Sequence, residues 1–298
     1  EIQKIYTTYV IPLPEMADDN NRVHTHFDQL GASTGRMSSS SPNVQNIPNQ
    51  GDWGKRIRRG FIAQKGFQLV SFDYSQIELR VAAHLTGDER LCDFFRQGAD
   101  IHKNTAAEVF GVNAEDVTDE MRYKAKALNF GVLYGMGAGG FARSARIPLE
   151  EARDFIENYF AKFPGIYEYV EKTKEMVREK GYAETMFGRK RYIPEIYSTT
   201  PQLRAQAERM AINHPIQGTL ADITKMAMVE IAETIQEEGL KMLVQIHDEL
   251  LFEMRNDILG KTMGRIREIM KEAGKLSVPV VVDIKEGINW GEMKKLTV

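Results

Sequence analysis

Val70-Ser-Phe-Asp73-Tyr-Ser-Gln76-Ile-Glu78-Leu-Arg80 is the stretch from which the architecture is read. Gly66 to Phe72 is a short apolar run with polar breaks and predicts a strand. Gln76 to Leu85 carries apolar residues at helical spacing and predicts a helix. Asp73 then falls where the strand ends. A carboxylate at such a junction is held on rigid backbone yet open to solvent, which suits a metal ligand and not a core residue. Taken alone, Asp73 reads as an ordinary solvated acid at a helix start, so its meaning depends on what the rest of the chain supplies.

The chain has 298 residues, 42% of them hydrophobic, enough to bury a sizeable core as one large domain or two. Lys and Arg number 39 against 42 Asp and Glu, and the formal net charge of -3 gives no hint of a nucleic-acid partner, so charge must be read locally. Lys55, Arg56, Arg58, Arg59 and Lys65 lie in an acid-free window that reads either as a solvated face or as a phosphate-binding surface. Cys92 is the only cysteine, which excludes a disulfide framework, a cysteine-based zinc site and a Cys-X-X-Cys redox pair, and fits a reducing compartment. No apolar run approaches the ~18 residues of a membrane span. The N-terminus lacks a signal-peptide layout, and no solenoid repeat is visible. A soluble cytoplasmic protein with no membrane partner is expected.

Along the chain, residues 1 to 21 predict a linker tail, and Arg22 to Gln29 alternates as a strand. The Gly/Ser/Pro stretch from Gly31 to Pro42 reads as a long loop. Its Arg36, and Asn43, Gln45 and Asn46 just beyond, are donors suited to phosphates and base edges, or simply to a polar surface. Asp88 to Arg96 and Asp100 to Phe110 predict helices, the second capped by Asp100 and stopped by Gly111, with His102 on its first turn as a cap, a surface residue or a ligand.

In Met121 to Gly135, Arg122, Lys126, Phe130 and Tyr134 recur every four residues and form one helix stripe. Core packing explains two aromatics but not two cations beside them. A nucleoside triphosphate offers phosphates to the cations and a flat base to the rings. Gly131 and Gly135 weaken such a helix by about 1 kcal/mol each, which suggests a close approach or a helix that moves.

Pro148 to Phe163 and Ile166 to Lys180 predict two helices, and Tyr182 to Met186 with Lys190 to Ile193 a hairpin. Pro201 to Gln236 predicts a long helical pattern interrupted at Pro215 and Gly218, with Arg209, Asn213 and Gln217 again every fourth residue. Lys241 to Ile246 and Leu250 to Met254 predict a tight hairpin with His247-Asp248-Glu249 at its tip. Asp257 to Ala273 then reads as a helix and Val278 to Glu286 as a strand.

Two acids at strand ends far apart in sequence, with a cation and aromatic stripe between them, are the parts that phosphoryl transfer with two divalent ions requires. Carboxylates must hold the ions about 3.5–4 Å apart so that one activates the attacking oxygen and the other stabilises the leaving group. Asp73 and Asp248 are the candidates.

From about Leu13 to Trp290 the chain resembles the polymerase region of family A DNA polymerases, the bacterial DNA polymerase I type. Asp73-Tyr-Ser-Gln76-Ile-Glu78-Leu-Arg80 is similar to the first carboxylate motif, Arg122-X3-Lys126-X3-Phe130-Gly-X2-Tyr134-Gly to the nucleotide-binding finger helix, and His247-Asp248-Glu249 to the second carboxylate motif. Thr34-Gly-Arg36, Pro42-Asn-X-Gln45-Asn46-Ile47-Pro48 and Asp100-Ile-His102 match further family stretches, all in the family's order.

The resemblance implies an α+β right-hand fold, with an antiparallel-sheet palm formed by residues 1–90 and 204–298 and helical fingers over 91–203. It implies extension of a primer 3′-OH on template DNA by dNTPs, with two Mg²⁺ ions that Mn²⁺ can replace. Metal would be held by Asp73 and Asp248, the Tyr74 backbone and Glu249. The incoming dNTP would meet Arg122, Lys126, His102, Gln76, Phe130 and Tyr134, with Lys126 donating a proton to pyrophosphate and Glu78 crowding a ribose 2′-OH. Phe130, standing where some relatives have Tyr, implies poor acceptance of dideoxynucleotides. Arg36, Asn43, Gln45, Asn46, Arg209, Asn213, Gln217 and His247 would contact primer-template DNA. Tyr123 departs from the family, many of whose members have Arg there. The match begins after the family's thumb, so a thumb and nuclease modules are expected to lie elsewhere, in cis or on another chain. Two other readings are a two-metal nuclease, which leaves the stripe without a task, and a DNA-binding fragment inactive without its thumb.

Overall fold

The structure, a computed structural model, describes residues 2–49 and 51–296. The chain opens in helix and not in the predicted tail: α1 (Ile2–Ile5), a π turn (Tyr6–Val10) and α2 (Pro12–Glu15). Proline at the first position of α2 has no N–H to lose. Buried Ile5 and Tyr9 anchor the segment, and the Tyr9 hydroxyl donates to the Asn46 carbonyl at 2.7 Å. The strand predicted over 22–29 is shortened to β1 (His26–Asp28), paired with β2 (Ser38–Ser40).

The basic window falls largely on an unpredicted helix, α3 (Gly51–Arg59). Part of its charge serves the fold. Arg58 lies 4.1 Å over the Trp290 ring and donates to the carbonyls of Ile47 and Pro48, while Arg59 pairs with Glu292 at 2.7 Å.

Then follow β3 (Phe67–Tyr74), α4 (Ile77–Thr86), α5 (Glu89–Arg96), α6 (Ile101–Phe110), α7 (Asp119–Leu133), α8 (Ala138–Ala145), α9 (Leu149–Lys162) and α10 (Pro164–Lys180). The remainder is the hairpin β4 (Tyr182–Glu184) and β5 (Lys190–Tyr192), α11 (Pro201–Thr234), β6 (Leu240–Ile246), β7 (Glu249–Arg255), α12 (Leu259–Glu272), β8 (Val282–Gly287) and β9 (Lys294–Lys295). The predicted break in α11 does not occur: the helix runs on through Pro215. A buried stripe that includes Ala211, Ile212, Ile216 and Leu220 outweighs the roughly 3 kcal/mol cost of proline, and the Tyr169 hydroxyl donates to the Ile212 carbonyl beside it. Among the described residues no helix is long and apolar enough to cross a membrane.

Two compact units result, one comprising Glu1–Ser75, Ala221–Gly274 and Val281–Val298, the other Gln76–Leu220 and Lys275–Val280. The first is built on an antiparallel sheet in the order β6-β7-β3-β8-β9. Side chains alternate across a sheet and register partners share a face. On one face Val70, Phe72 and Tyr74 stand beside Phe252, Leu250 and Ile284, all buried. Phe72 and Phe252 meet edge to face at 5.6 Å, and the Tyr74 hydroxyl donates to the Met270 carbonyl of α12 at 2.8 Å. The other face of the same strands carries Asp73, Glu249 and Asp283.

The second unit is mainly helical; Asp100 caps α6 as expected from the sequence, and Asp88 and Thr118 cap α5 and α7 in the same way. Asp88 accepts from Leu91 N, Asp100 from His102 N and Lys103 N, and Thr118 from Met121 N. Gly111 and Gly181 close α6 and α10 with positive φ.

Candidate active site

Asp73 is the penultimate residue of central strand β3, and its register partners are Glu249 on β7 and Asp283 on β8. Three carboxylates therefore stand in a row across one face. Asp248 joins them from the two-residue turn between β6 and β7, its carbonyl accepting the Tyr74 N–H at 3.2 Å. Burial first, then the charges of Asp248 and Glu249, push the Asp73 carboxyl up to about 7; Lys285 opposes the shift and Asp283 adds to it. Asp283 and Lys285 were not singled out in the sequence, because their places opposite Asp73 and Ser71 depend on register across more than 200 residues.

The turn itself is held under strain. His247 has φ 56°, a left-handed backbone unusual for a residue with a side chain. The Gln245 amide donates to its carbonyl at 2.6 Å, and the Gln45 amide donates to the Gln245 carbonyl and Oε1 at 3.1 and 3.0 Å. Gln45, expected to meet nucleic acid, thus braces the acidic turn in the protein alone. Asn43 is similarly engaged, accepting from Ser39 Oγ and from Asn46 N. The Asn46 side chain is exposed and Arg36 is half-buried.

The donors on this face fit a hard divalent cation, being all oxygen, with one carboxyl lifted by like charges that a cation would relieve. Among the described residues no three His, Cys, Asp or Glu side chains gather closely enough to hold an ion unaided. A Mg²⁺ ion keeps several waters and takes one or two carboxylates together with substrate oxygens.

In the second unit, α7 carries the stripe. Phe130 and Tyr134 stack with ring centroids 6.4 Å apart and an interplanar angle of 19°, and the His102 ring of α6 lies 5.7 Å from Phe130. The Tyr134 hydroxyl donates to the Glu78 carboxylate of α4. Lys126 is exposed, and Arg122 pairs with Asp100 at 2.9 Å. Burial first, and the nearby Arg122 and Lys126 cations, hold the His102 imidazole down at about 4 against the pull of Asp100, so the ring is neutral at neutral pH.

The two glycines have local explanations. Gly135, φ 66°, ends α7 in a Schellman motif, with Met136 N donating to Gly131 O and Gly135 N to Val132 O. A Cβ on Gly135 would meet Arg209 atoms at 2.9 and 3.1 Å, and one on Gly131 the Met136 sulfur at 3.0 Å. Arg209 therefore abuts the end of the stripe. Asn213 and Gln217 follow it along α11, both half-buried, while Gln76 is exposed with φ 53° just before α4. Asn129, buried on α7, escaped notice in the sequence, although a polar residue on the face of Ala125, Leu128 and Val132 is itself a signal.

The family model for DNA polymerase family A matches residues 1–292. The chain belongs to DNA polymerase family A. It is 47% identical over 294 residues to DNA polymerase I of Pseudomonas aeruginosa, covering 98% of this chain and 32% of that protein. It is also 47% identical over 296 residues to the thermostable DNA polymerase I of Thermus aquaticus, covering 99% of this chain and 36% of the relative. A solved structure of the POL domain of Pol1 from M. smegmatis, in complex with DNA primer-template and dNTP, superposes with a TM-score of 0.93 at 40% identity, covering 97% of this chain and 51% of that one. The chain thus spans about a third of the length of the family A relatives described. The mixed fold of helices and antiparallel sheet expected from the sequence is the one observed.

Proposed function

We propose that this family A chain is the catalytic part of a template-directed DNA polymerase that joins a primer 3′-oxygen to the α-phosphorus of a dNTP and releases pyrophosphate. The observation that carries the reading is the row of carboxylates that strand register builds across one sheet face, Asp73 between Glu249 and Asp283, with Asp248 in the adjoining turn. Like-charged carboxylates on a rigid sheet face cost stability unless a cation uses them. When bound there, two Mg²⁺ ions supply Lewis-acid activation of the attacking oxygen and stabilisation of the leaving one.

The chain's own groups do the positioning. Asp73 and Asp248 hold metal, aided by the Tyr74 backbone, and Glu249 supports them electrostatically. Lys126 and Arg122 meet the triphosphate with Gln76 and His102, and Lys126 gives its proton to the departing pyrophosphate. Arg122 must exchange Asp100 for phosphate to do so. Phe130 stacks by the new base, and Glu78, fixed by the Tyr134 hydroxyl, crowds a 2′-OH. Arg36, Asn46, Arg209, Asn213, Gln217 and His247 meet primer and template, with Asn43 and Gln45 shaping the loop between them. Residues 1–90 and 204–298 act as palm and 91–203 as fingers, in a cytoplasmic protein that handles DNA. The M. smegmatis structure, solved with primer-template and dNTP, supports this assignment of partners.

Incubation of enzyme in excess over a labelled primer-template, with Mg²⁺ and dNTPs, tests the reading. Stepwise lengthening supports it. Shortening of the primer without dNTPs would favour a nuclease, and tight binding without addition would favour a DNA-binding fragment.

A further inference from the structure

Asn129 sits on α7 with 1% of its surface exposed, between Lys126 and Phe130 in the sequence. Its Nδ2 has two hydrogens and two acceptors, His102 Nδ1 at 3.2 Å and Thr105 Oγ1 at 3.1 Å, both on α6. Its Oδ1 is buried with no hydrogen-bond partner among the described residues. Turning the carboxamide over would instead orphan an NH₂ group with two hydrogens, the larger loss, because buried donors without acceptors are the rarer defect. A nitrogen that accepts from Asn129 cannot carry the ring proton of a neutral imidazole.

We propose that Asn129 is a positioning residue whose buried carboxamide locks His102 in the Nε2–H tautomer, so that the ring offers a neutral N–H donor to an anionic oxygen of the incoming triphosphate. The role toward nucleotide rests on the proposed polymerase function; the tautomer itself does not. The charged groups around the ring agree with the assignment. Arg122 and Lys126 already supply positive charge, and with burial they keep His102 neutral, while Asp100 is occupied by backbone N–H groups and by Arg122. A third cation is thereby avoided, and a donor of fixed direction is gained. The orphaned Oδ1 is the cost at which this orientation is held.

The test begins with the unmodified chain. Two-bond ¹H–¹⁵N spectra, with His102 assigned through the loss of its signals in His102→Gln, should show Nδ1 unprotonated and Nε2 protonated from pH 5 to 8. A proton on Nδ1 would overturn the lock. In kinetics, Asn129→Asp places a carboxylate that accepts from Nδ1–H and reverses the tautomer. It should raise the dNTP KM about tenfold, the loss of roughly one hydrogen bond to a charged group, with kcat little changed. In a His102→Gln background, which retains a neutral donor, Asn129→Asp should have no further effect. An equal rise in KM in both backgrounds would mean that Asn129 acts only through the fold. Failure of primer extension with Nε2–H intact would instead sink the polymerase reading and leave the tautomer lock standing.

Discussion

Asp73 and Glu249 face each other as register partners on adjacent antiparallel strands, so two carboxylates meet across the sheet where a salt bridge would ordinarily be placed. Asp283 flanks Asp73 from the other side. This arrangement costs stability in the metal-free protein, and the cost depends on pH.

Asp73 titrates near 3.8 when unfolded and near 7 when folded. Between those values the folded chain keeps a proton that the unfolded chain has lost. The contribution of Asp73 to stability is therefore greatest below pH 4, falls as pH rises to about 7 and then levels off, by up to about 4 kcal/mol. Denaturant midpoints across this range should fall in the wild type and fall much less in Asp73→Asn. Mg²⁺ should recover stability at pH 8 and little at pH 5. The same pH slope in both proteins would show that the strain does not reside at Asp73.

Glu78 and Tyr134 form one hydrogen-bonded pair within the second unit. Glu78→Ala should raise ribonucleotide incorporation relative to deoxynucleotide by about tenfold or more, since each 1.4 kcal/mol of lost discrimination is tenfold. Competition assays with matched rNTP and dNTP report the ratio, and an unchanged ratio removes Glu78 from sugar selection.

Gly135 joins a positive φ to close contact with Arg209. Gly135→Ala should lower stability by about 1–3 kcal/mol, from left-handed strain and the displaced neighbour. Gly264, inside α12, has no neighbour within 4 Å of an added Cβ and no positive φ, so Gly264→Ala should not lower thermal stability. Equal midpoints for the two variants would contradict the account of how α7 ends.

The features legible in the sequence are those encoded locally. Asp88, Asp100, Gly111 and Gly181 mark helix ends through hydrogen bonds and backbone conformations that span a few residues, and the β6–β7 hairpin is similarly self-contained. The stripe on α7 was legible because helical spacing alone puts its members on one side. Asp283 and Lys285 were not, since only strand register brings them opposite residues far away in sequence. The helical start of the chain depends on Tyr9 reaching Asn46, and the continuity of α11 through Pro215 on burial along its length, both tertiary effects that override local propensity. Gly131 and Gly135, read as signs of motion or ligand approach, are explained by Met136 and by the helix stop.

Metal-dependent nucleotide addition is proposed to depend on Asp73 and Asp248 together. The rate of single-nucleotide addition in Mg²⁺, with enzyme in excess over primer-template, tests it in wild type, Asp73→Asn and Asp248→Asn. Addition by the wild type, abolished by EDTA, is expected, with a loss of at least about a thousandfold in each variant with folding intact, the scale of removing several kcal/mol of transition-state stabilisation. Near wild-type rates in either variant would contradict it.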